Sequence, residues 1–284
     1  MAVRLVPNPS LWSYVSSAPV LQVNAISKGY WRGGAYLGVL KDVSLQLAPG
    51  EIVAVTGRRL GGKSTLLQII AGIEVPDAGN VTLAGLPVRA QGRRSLRDWR
   101  AARRSHLSEP MLGREMILVT REGPHQELEV SKYVGSPMAV RGWRRRAVQI
   151  AAAGALDRVG ARDCMGRCWG ELSNYQRALV GLARAFAGAP RLVILDDLLD
   201  AHSARDTEML SDLLHGLVEE SNPECGVLLS TGYYESAIVL ADRVCALTPK
   251  GTLIHSSGRR AADAAEDEDA TNVVQLRRSA ERDR

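Results

Sequence analysis

The segment GRRLGGKST, Gly57 to Thr65, constrains this chain more than any other. It follows an apolar run, Glu51–Thr56 (EIVAVT), that reads as a buried strand. It opens Ser64–Ile73, which reads as an apolar helix ending near Pro76. Gly57, Gly62, Lys63 and Ser64 satisfy the spacing G-x-x-x-x-G-K-[ST]. A loop of this kind binds phosphate for mechanical reasons. Glycine lets the backbone wrap an anion closely, and the loop amides and helix N-terminus supply donors and positive potential. Lys63 is placed to reach the β- and γ-phosphates, and the Ser64 hydroxyl can ligate Mg²⁺. Arg58, Arg59, Leu60, Gly61 and Thr65 complete the cradle, and the two arginines add charge beside the phosphates.

A second element suits the first. Leu192–Leu195 is a short apolar strand that runs into Asp196-Asp197. A carboxylate at the end of a buried strand is the expected Mg²⁺ partner of a phosphate loop. The chain has 284 residues, 45% of them apolar, so it can bury a sizeable core. Aromatics are only 5%, with a single Phe, which predicts an aliphatic core. The net charge of +5 suits anionic ligands or a membrane surface and does not argue for DNA binding. No apolar run approaches the ~18 residues of a membrane span. Pro7, Asn8 and Pro9 interrupt any leader-like core. The expected location is therefore the cytosol, with any membrane role supplied by a separate chain. Cys164, Cys168, Cys225 and Cys245 form no CxxC pair and read as free thiols.

Residues 1–19 read as a polar arm. Leu21–Val23 and Val39–Leu47 alternate like strands around a Gly-rich, hairpin-like stretch, Tyr30 to Gly38. Asn80–Leu83, Met116–Thr120, Gly226–Ser230 and Val244–Leu247 read as further strands. Composition shifts from Gln91 to Gly170, with arginines at 93, 94, 97, 100, 103 and 104 and again at 141, 144, 145 and 146. This predicts an inserted helical subdomain at about 91–185 within a domain spanning 20–255. From 256 to 284 the chain turns to charge and alanine, a tail expected to be dispensable for ligand binding.

The stretch ELSNYQRALVGLARAFAGAPRLVILDD, Glu171–Asp197, resembles the ABC ATPase segment that runs from LSGGQ through a helix with an ARA triplet to the second acidic motif. The interval from Leu172 to Asp196 matches without a gap, and Ala183-Arg184-Ala185 sits where the triplet does. SKGYWRGGAYLGVLKDVSLQLAPGE, Ser27–Glu51, is similar to the family's opening hairpin. The resemblance implies an α/β fold: a RecA-like P-loop NTPase core with an antiparallel β subdomain and an inserted helical subdomain. It implies ATP and Mg²⁺ as ligands, with Tyr30 stacking on adenine, Gly57–Thr65 holding phosphate, and Ser64 and Asp196 holding the metal. The hairpin and the layout around Ser136–Arg158 are most similar to the lipoprotein-release and macrolide-export branch, with the amino-acid-importer and other exporter branches left open. That branch works as a dimer beneath a membrane permease.

The chain also departs from the family pattern. LSNYQ stands in place of LSGGQ. Ser173 and Gln176 are kept and are implied to face the nucleotide of a dimer partner. Asn174 and Tyr175 occupy the glycine positions, where side chains are expected to crowd that approach. Asp197, one methylene shorter, holds the place of the catalytic Glu and is left as a residual base. LLDAHS replaces PTxxLD, putting His202 and Ser203 at dimer-contact positions. LLSTGYYES places Gly232 where the switch histidine belongs, and Tyr233 cannot replace it without a shifted backbone. Arg121 or Glu122 stands where a glutamine senses the γ-phosphate, after a segment, Ala102 to Gly113, longer than the family's. Several losses beside an intact loop predict a slow, degenerate ATPase.

The expected function is the ATP-binding subunit of an ABC transporter, at the cytoplasmic face of the membrane. It would pair with a second ABC ATPase subunit and couple ATP binding, with slow hydrolysis, to an integral membrane permease. The alternative is a regulatory ATP-binding module that gates a permease without sustained turnover. A soluble cassette acting on DNA or ribosomes ranks below both, because the chain has neither a long coiled coil nor a tandem cassette. Trp99 alone interleaves with the arginine run, so no nucleic-acid partner is expected.

Overall fold

The computed structural model describes residues 18–89, 115–200, 202–222 and 224–256. The arm up to residue 17, the arginine run at 93–104 with Trp99, the segment Ala102–Gly113 and the tail from residue 257 lie outside the described residues.

Strands β1 (Leu21–Arg32) and β2 (Ala35–Leu47) form one long antiparallel hairpin. The stretch read as a Gly-rich connection is mostly strand, with Tyr30 opposite Leu37 and Trp31 opposite Tyr36. Cross-strand aromatic and aliphatic pairs hold it extended. Only Gly33 and Gly34, at φ 58° and 83°, make the turn. With β4 (Ala78–Leu83) and β5 (Leu86–Pro87) the hairpin forms a four-stranded antiparallel sheet, ordered β2-β1-β4-β5.

A second sheet is ordered β10-β9-β3-β8-β7-β6. Its strands are β3 (Ile52–Gly57), β6 (Met116–Thr120), β7 (Leu192–Asp196), β8 (Gly226–Thr231), β9 (Arg243–Leu247) and β10 (Leu253–Ser256). All pairings are parallel except β10 with β9. The interiors of β3, β6, β7 and β8 are apolar because both faces are covered, as a parallel sheet requires. Val53 and Val55 face a core shared with α1 (Lys63–Ile70) and the antiparallel sheet. Ile52 and Ala54 face a core shared with the helices of the other side.

Those helices are α2 (Val130–Val140), α3 (Arg145–Arg158), α4 (Asn174–Phe186), α5 (Ala204–Glu219) and α6 (Tyr234–Leu240). The Ala183-Arg184-Ala185 triplet joins layers. Both alanines are buried, and Arg184 donates to the Leu118 carbonyl (2.9 Å) while lying over the Tyr133 ring. The core is not purely aliphatic: Trp169 and Phe186 are buried, and Tyr133 meets Trp169 edge-on at 5.1 Å. No described helix is long and apolar enough to cross a membrane. The parallel order brings the C-terminal ends of β3, β7 and β8 side by side, the usual position of a ligand crevice in such a sheet.

Candidate functional site

Strand β3 ends at Gly57, and α1 starts at Lys63 after Gly62. Gly62 has φ 102°, and a Cβ there would lie 2.7 Å from Val39 Cγ1, so no other residue fits without a shift. No side chain caps α1, which leaves its first amides to a ligand. Lys63 is buried, and its Nζ donates to the carbonyls of Gly57 (2.9 Å) and Arg58 (3.3 Å). An ammonium has three donors, so a third stays available to an anion. Leu60 is 98% exposed at the loop tip with φ 62°. A left-handed conformation costs an L-residue roughly 1–2 kcal/mol.

The acidic pair meets this loop. Asp196 ends β7, with Thr120 of β6 and Ser230 of β8 at its level on either side. Ser64 Oγ donates to Asp196 Oδ1 at 3.2 Å. Ser230 Oγ lies 2.7 Å from Asp196 Oδ1 and 2.9 Å from Asp197 Oδ1, and it accepts the Asp197 amide at 2.9 Å. A hydroxyl has one proton, so Ser230 serves one carboxylate at a time. Burial pushes the Asp196 carboxyl above its ordinary range, against the lowering effect of the Ser230 and Ser64 hydroxyls. Asp197 sits at φ 50°, so a tight left-handed step re-aims the chain at the place of the shortened base.

Sequence reasoning missed two members of this group, Ser230 and Asp200. Both stand in segments singled out for other residues, and the only signal for Ser230 was its place in a strand beside β7. Asp200 is buried; its Oδ2 accepts the Gly232 amide at 3.0 Å, and its Oδ1 meets no hydrogen-bond geometry among the described residues. Gly232 leaves open the space expected for a histidine. Tyr233 is half exposed and bonds through its amide to Thr231 Oγ1, so its ring does not take that place. Arg121 is the first residue past β6, its amide donating to the Asp196 carbonyl at 2.9 Å; Glu122 follows, and both are exposed.

Other expected residues lie apart from this convergence. Tyr30 is on β1, half-exposed, with Lys28 Nζ 5.2 Å from its ring centre. In the signature segment Ser173 caps α4. Its Oγ accepts the Gln176 amide (3.2 Å), and Gln176 Oε1 accepts the Ser173 amide (3.0 Å), a reciprocal capping box. Arg167 also donates to Gln176 Oε1 at 3.3 Å. Asn174 is exposed, whereas Tyr175 is half-buried against its own core and meets His202 edge-on at 6.2 Å. An aromatic ring has apolar area to bury, and α4 offers it the core side. His202 is accordingly half-buried, and burial lowers its pKa. Ser203 serves as cap of α5, accepting the Asp206 amide at 3.1 Å.

Residues 40–199 match the ABC transporter family. The methionine import ATP-binding protein MetN of Nocardia farcinica is 31% identical over 236 residues, 82% of this chain and 66% of that protein. The lipoprotein-releasing system ATP-binding protein LolD of Shewanella oneidensis is 32% identical over 201 residues, 71% of this chain and 83% of LolD. The match thus spans somewhat under two thirds of the methionine-import relatives, 60% for that of Rhizobium meliloti. Among solved structures, the dimeric ATP-binding cassette MJ0796 in a post-hydrolysis state with ADP and Pi has a TM-score of 0.68 at 22% identity, covering 84% of this chain and 99% of that one. A phosphate loop joined to a strand-end carboxylate, the LolD and MetN matches and the shared fold lead to one conclusion: this chain belongs to the ABC transporter family, as an ATP-binding cassette.

Proposed function

We propose that the chain binds Mg-ATP at the Gly57–Thr65 loop and hydrolyses it slowly, driving a separate integral membrane permease from the cytoplasmic face of the membrane. One observation carries the reading: Ser64 of the loop bonds to Asp196 at the neighbouring strand end, with Lys63 threaded through the same loop. Arg58, Arg59, Leu60 and Gly61 form the wall of the cradle, and Thr65 follows Ser64 into the helix. Tyr30 stacks on the base.

A hydroxyl and a carboxylate oxygen 3.2 Å apart suit a hard cation such as Mg²⁺, which prefers oxygen ligands and keeps phosphate and water in its shell. Asp196 and Ser64 would hold the ion, which would supply neutralisation of phosphate charge, and Ser230 orients Asp196.

Asp197 is the residual base, held back by its Ser230 contact and its short side chain. Arg121 or Glu122, the two residues that follow β6, takes the place of the sensing glutamine. Residues 20–255 form the ATPase unit, and the helices between about 91 and 185 form its permease-facing subdomain. A second ABC ATPase subunit closes on the loop, and Ser173 and Gln176 face that partner's nucleotide. The comparisons lend no support to a subunit that binds without turnover. Calorimetry of the full chain with Mg-ATP tests the binding step: affinity in the micromolar to sub-millimolar range is expected, and no heat up to millimolar nucleotide refutes it. Recovery of a permease with the chain from solubilised membranes tests the partner.

A further inference from the structure

We propose that Lys28 is a positioning residue for the nucleotide base: its ammonium is fixed against one face of the Tyr30 ring and leaves the other face to stack on adenine. The inference rests on the reading of Tyr30 as the base platform and names what holds that platform in place.

Lys28 and Tyr30 are two residues apart on β1, so their side chains leave the same face of the strand. Lys28 Nζ lies over the Tyr30 ring, 5.2 Å from its centre, within the range of a cation–π contact. The Lys28 side chain is 11% exposed and Tyr30 is 38% exposed, so the cation takes the covered side of the ring and the free side faces out. The ammonium donates to the Val75 carbonyl at 2.7 Å and lies 2.9 Å from Glu74 Oε1 and 3.5 Å from Asp77 Oδ1. Its three protons are taken within the chain, and none is left for a phosphate. Any effect of Lys28 on a nucleotide therefore passes through the ring beside it.

The same anchor fixes the backbone under Tyr30. Glu74, Val75 and Asp77 belong to the segment between α1 and β4, so Lys28 ties β1 to the chain that leaves the phosphate-loop helix. Asp77 Oδ2 also accepts the Tyr36 hydroxyl and the Gly29 amide, each at 2.8 Å, and these bonds hold its carboxyl below the ordinary range. The main chain just before Tyr30 is thus held as well. On β2, Lys28 pairs with Leu40 and Gly29 with Gly38, so Val39 is an extra, bulged residue. It lies against Gly62, where a Cβ would stand 2.7 Å from Val39 Cγ1. The hairpin that carries Tyr30 is docked at two points, on the phosphate loop through Val39 and on the segment after α1 through Lys28. A platform held in advance spares each nucleotide the cost of ordering the ring.

A double-mutant cycle in calorimetry with Mg-ATP tests this on the full chain: wild type, Lys28→Met, Tyr30→Ala and the pair. Lys28→Met keeps the apolar stem and removes the cation. It is expected to weaken Mg-ATP by about two- to fivefold when Tyr30 is present, the scale of a cation–π contact near the surface. In the Tyr30→Ala background the same change is expected to cost less than about 1.5-fold, because residues that act as a unit are not additive. An equal loss in both backgrounds would mean general support of the fold and overturns the proposal, as does an unchanged affinity in Lys28→Met. If Lys28→Met fails to fold, Lys28→Gln, which keeps a donor for the Val75 carbonyl, is read in the same cycle and by the same outcomes. A Tyr30→Ala variant that binds Mg-ATP as the wild type does removes the base-platform reading, and this inference with it. Weaker binding in Tyr30→Ala with none in Lys28→Met removes the inference alone.

Discussion

Around the phosphate loop, polar side chains converge from distant parts of the chain. Ser64 at the start of α1, Asp196 at the end of β7 and Ser230 on β8 meet through bonds of 3.2 and 2.7 Å. In the signature segment the polar side chains stay local. Ser173 and Gln176, three residues apart, bond to each other and cap α4. The loop side is organised by the sheet, which sets separate strand ends at one level. The signature side is organised by a helix start, which needs its own donors and acceptors. The same side-chain types therefore converge across strand ends in one region and close a helix start in the other.

Four experiments press on that contrast. The largest effect is expected from Lys63→Ala, which removes a buried ammonium and its charge-assisted bonds. At ~1.5–3 kcal/mol for each bond to a charged group, Mg-ATP affinity should fall by about 100-fold or more in calorimetry. A drop of less than tenfold would break the assignment of the loop side to binding.

Next is turnover in the assembled complex. Asp197→Glu combined with Gly232→His should raise the ATPase rate by about tenfold or more, since a positioned acid–base group is worth ~10²–10⁴-fold. Either change alone should do little, because Gly232→His also brings a side chain against Asp200. Robust wild-type turnover abolished by Asp197→Ala would show that the site is not impaired.

Smaller still is Ser173→Ala. Loss of an N-cap costs about 1 kcal/mol, so the denaturant midpoint should fall while Mg-ATP affinity of the isolated chain stays put. A loss of affinity without a loss of stability would erase the distinction between the two regions. The smallest effect is expected from Tyr30→Ala, about three- to tenfold in Mg-ATP affinity, the scale of an aromatic contact at ~0.5–1.5 kcal/mol.

Much of the architecture was legible in the chain itself. β6 begins and ends where the apolar run Met116–Thr120 does, and β7 adds only Asp196 to Leu192–Leu195, because a strand buried on both faces announces itself as uninterrupted apolar sequence. The hairpin was harder. Tyr30 to Gly38 holds three glycines and no clean alternation, yet it pairs across most of its length. Strand pairing there is a property of two segments together, and neither shows it alone. Helix α1 ends at Ile70, earlier than its apolar pattern, because Gly72 turns left-handed at φ 70°.

The sequence by itself determined the phosphate loop, since spacing, a preceding strand and a following helix are all local features. Local spacing also marks the positions expected to depart from the family pattern: Asn174, Tyr175, Asp197, Gly232 and either Arg121 or Glu122. What those departures do was decided only by the tertiary structure. Tyr175 turns towards His202, 27 positions away, because that is where apolar cover exists. Ser230 joins Asp196 and Asp197 because parallel register sets β7 and β8 level. Asp200 stands beside Gly232, with one oxygen bound to its amide, because two strand ends far apart in the chain finish side by side. Local spacing can specify a loop that wraps an anion, but a convergence of side chains from separate strands exists only once the sheet has aligned them.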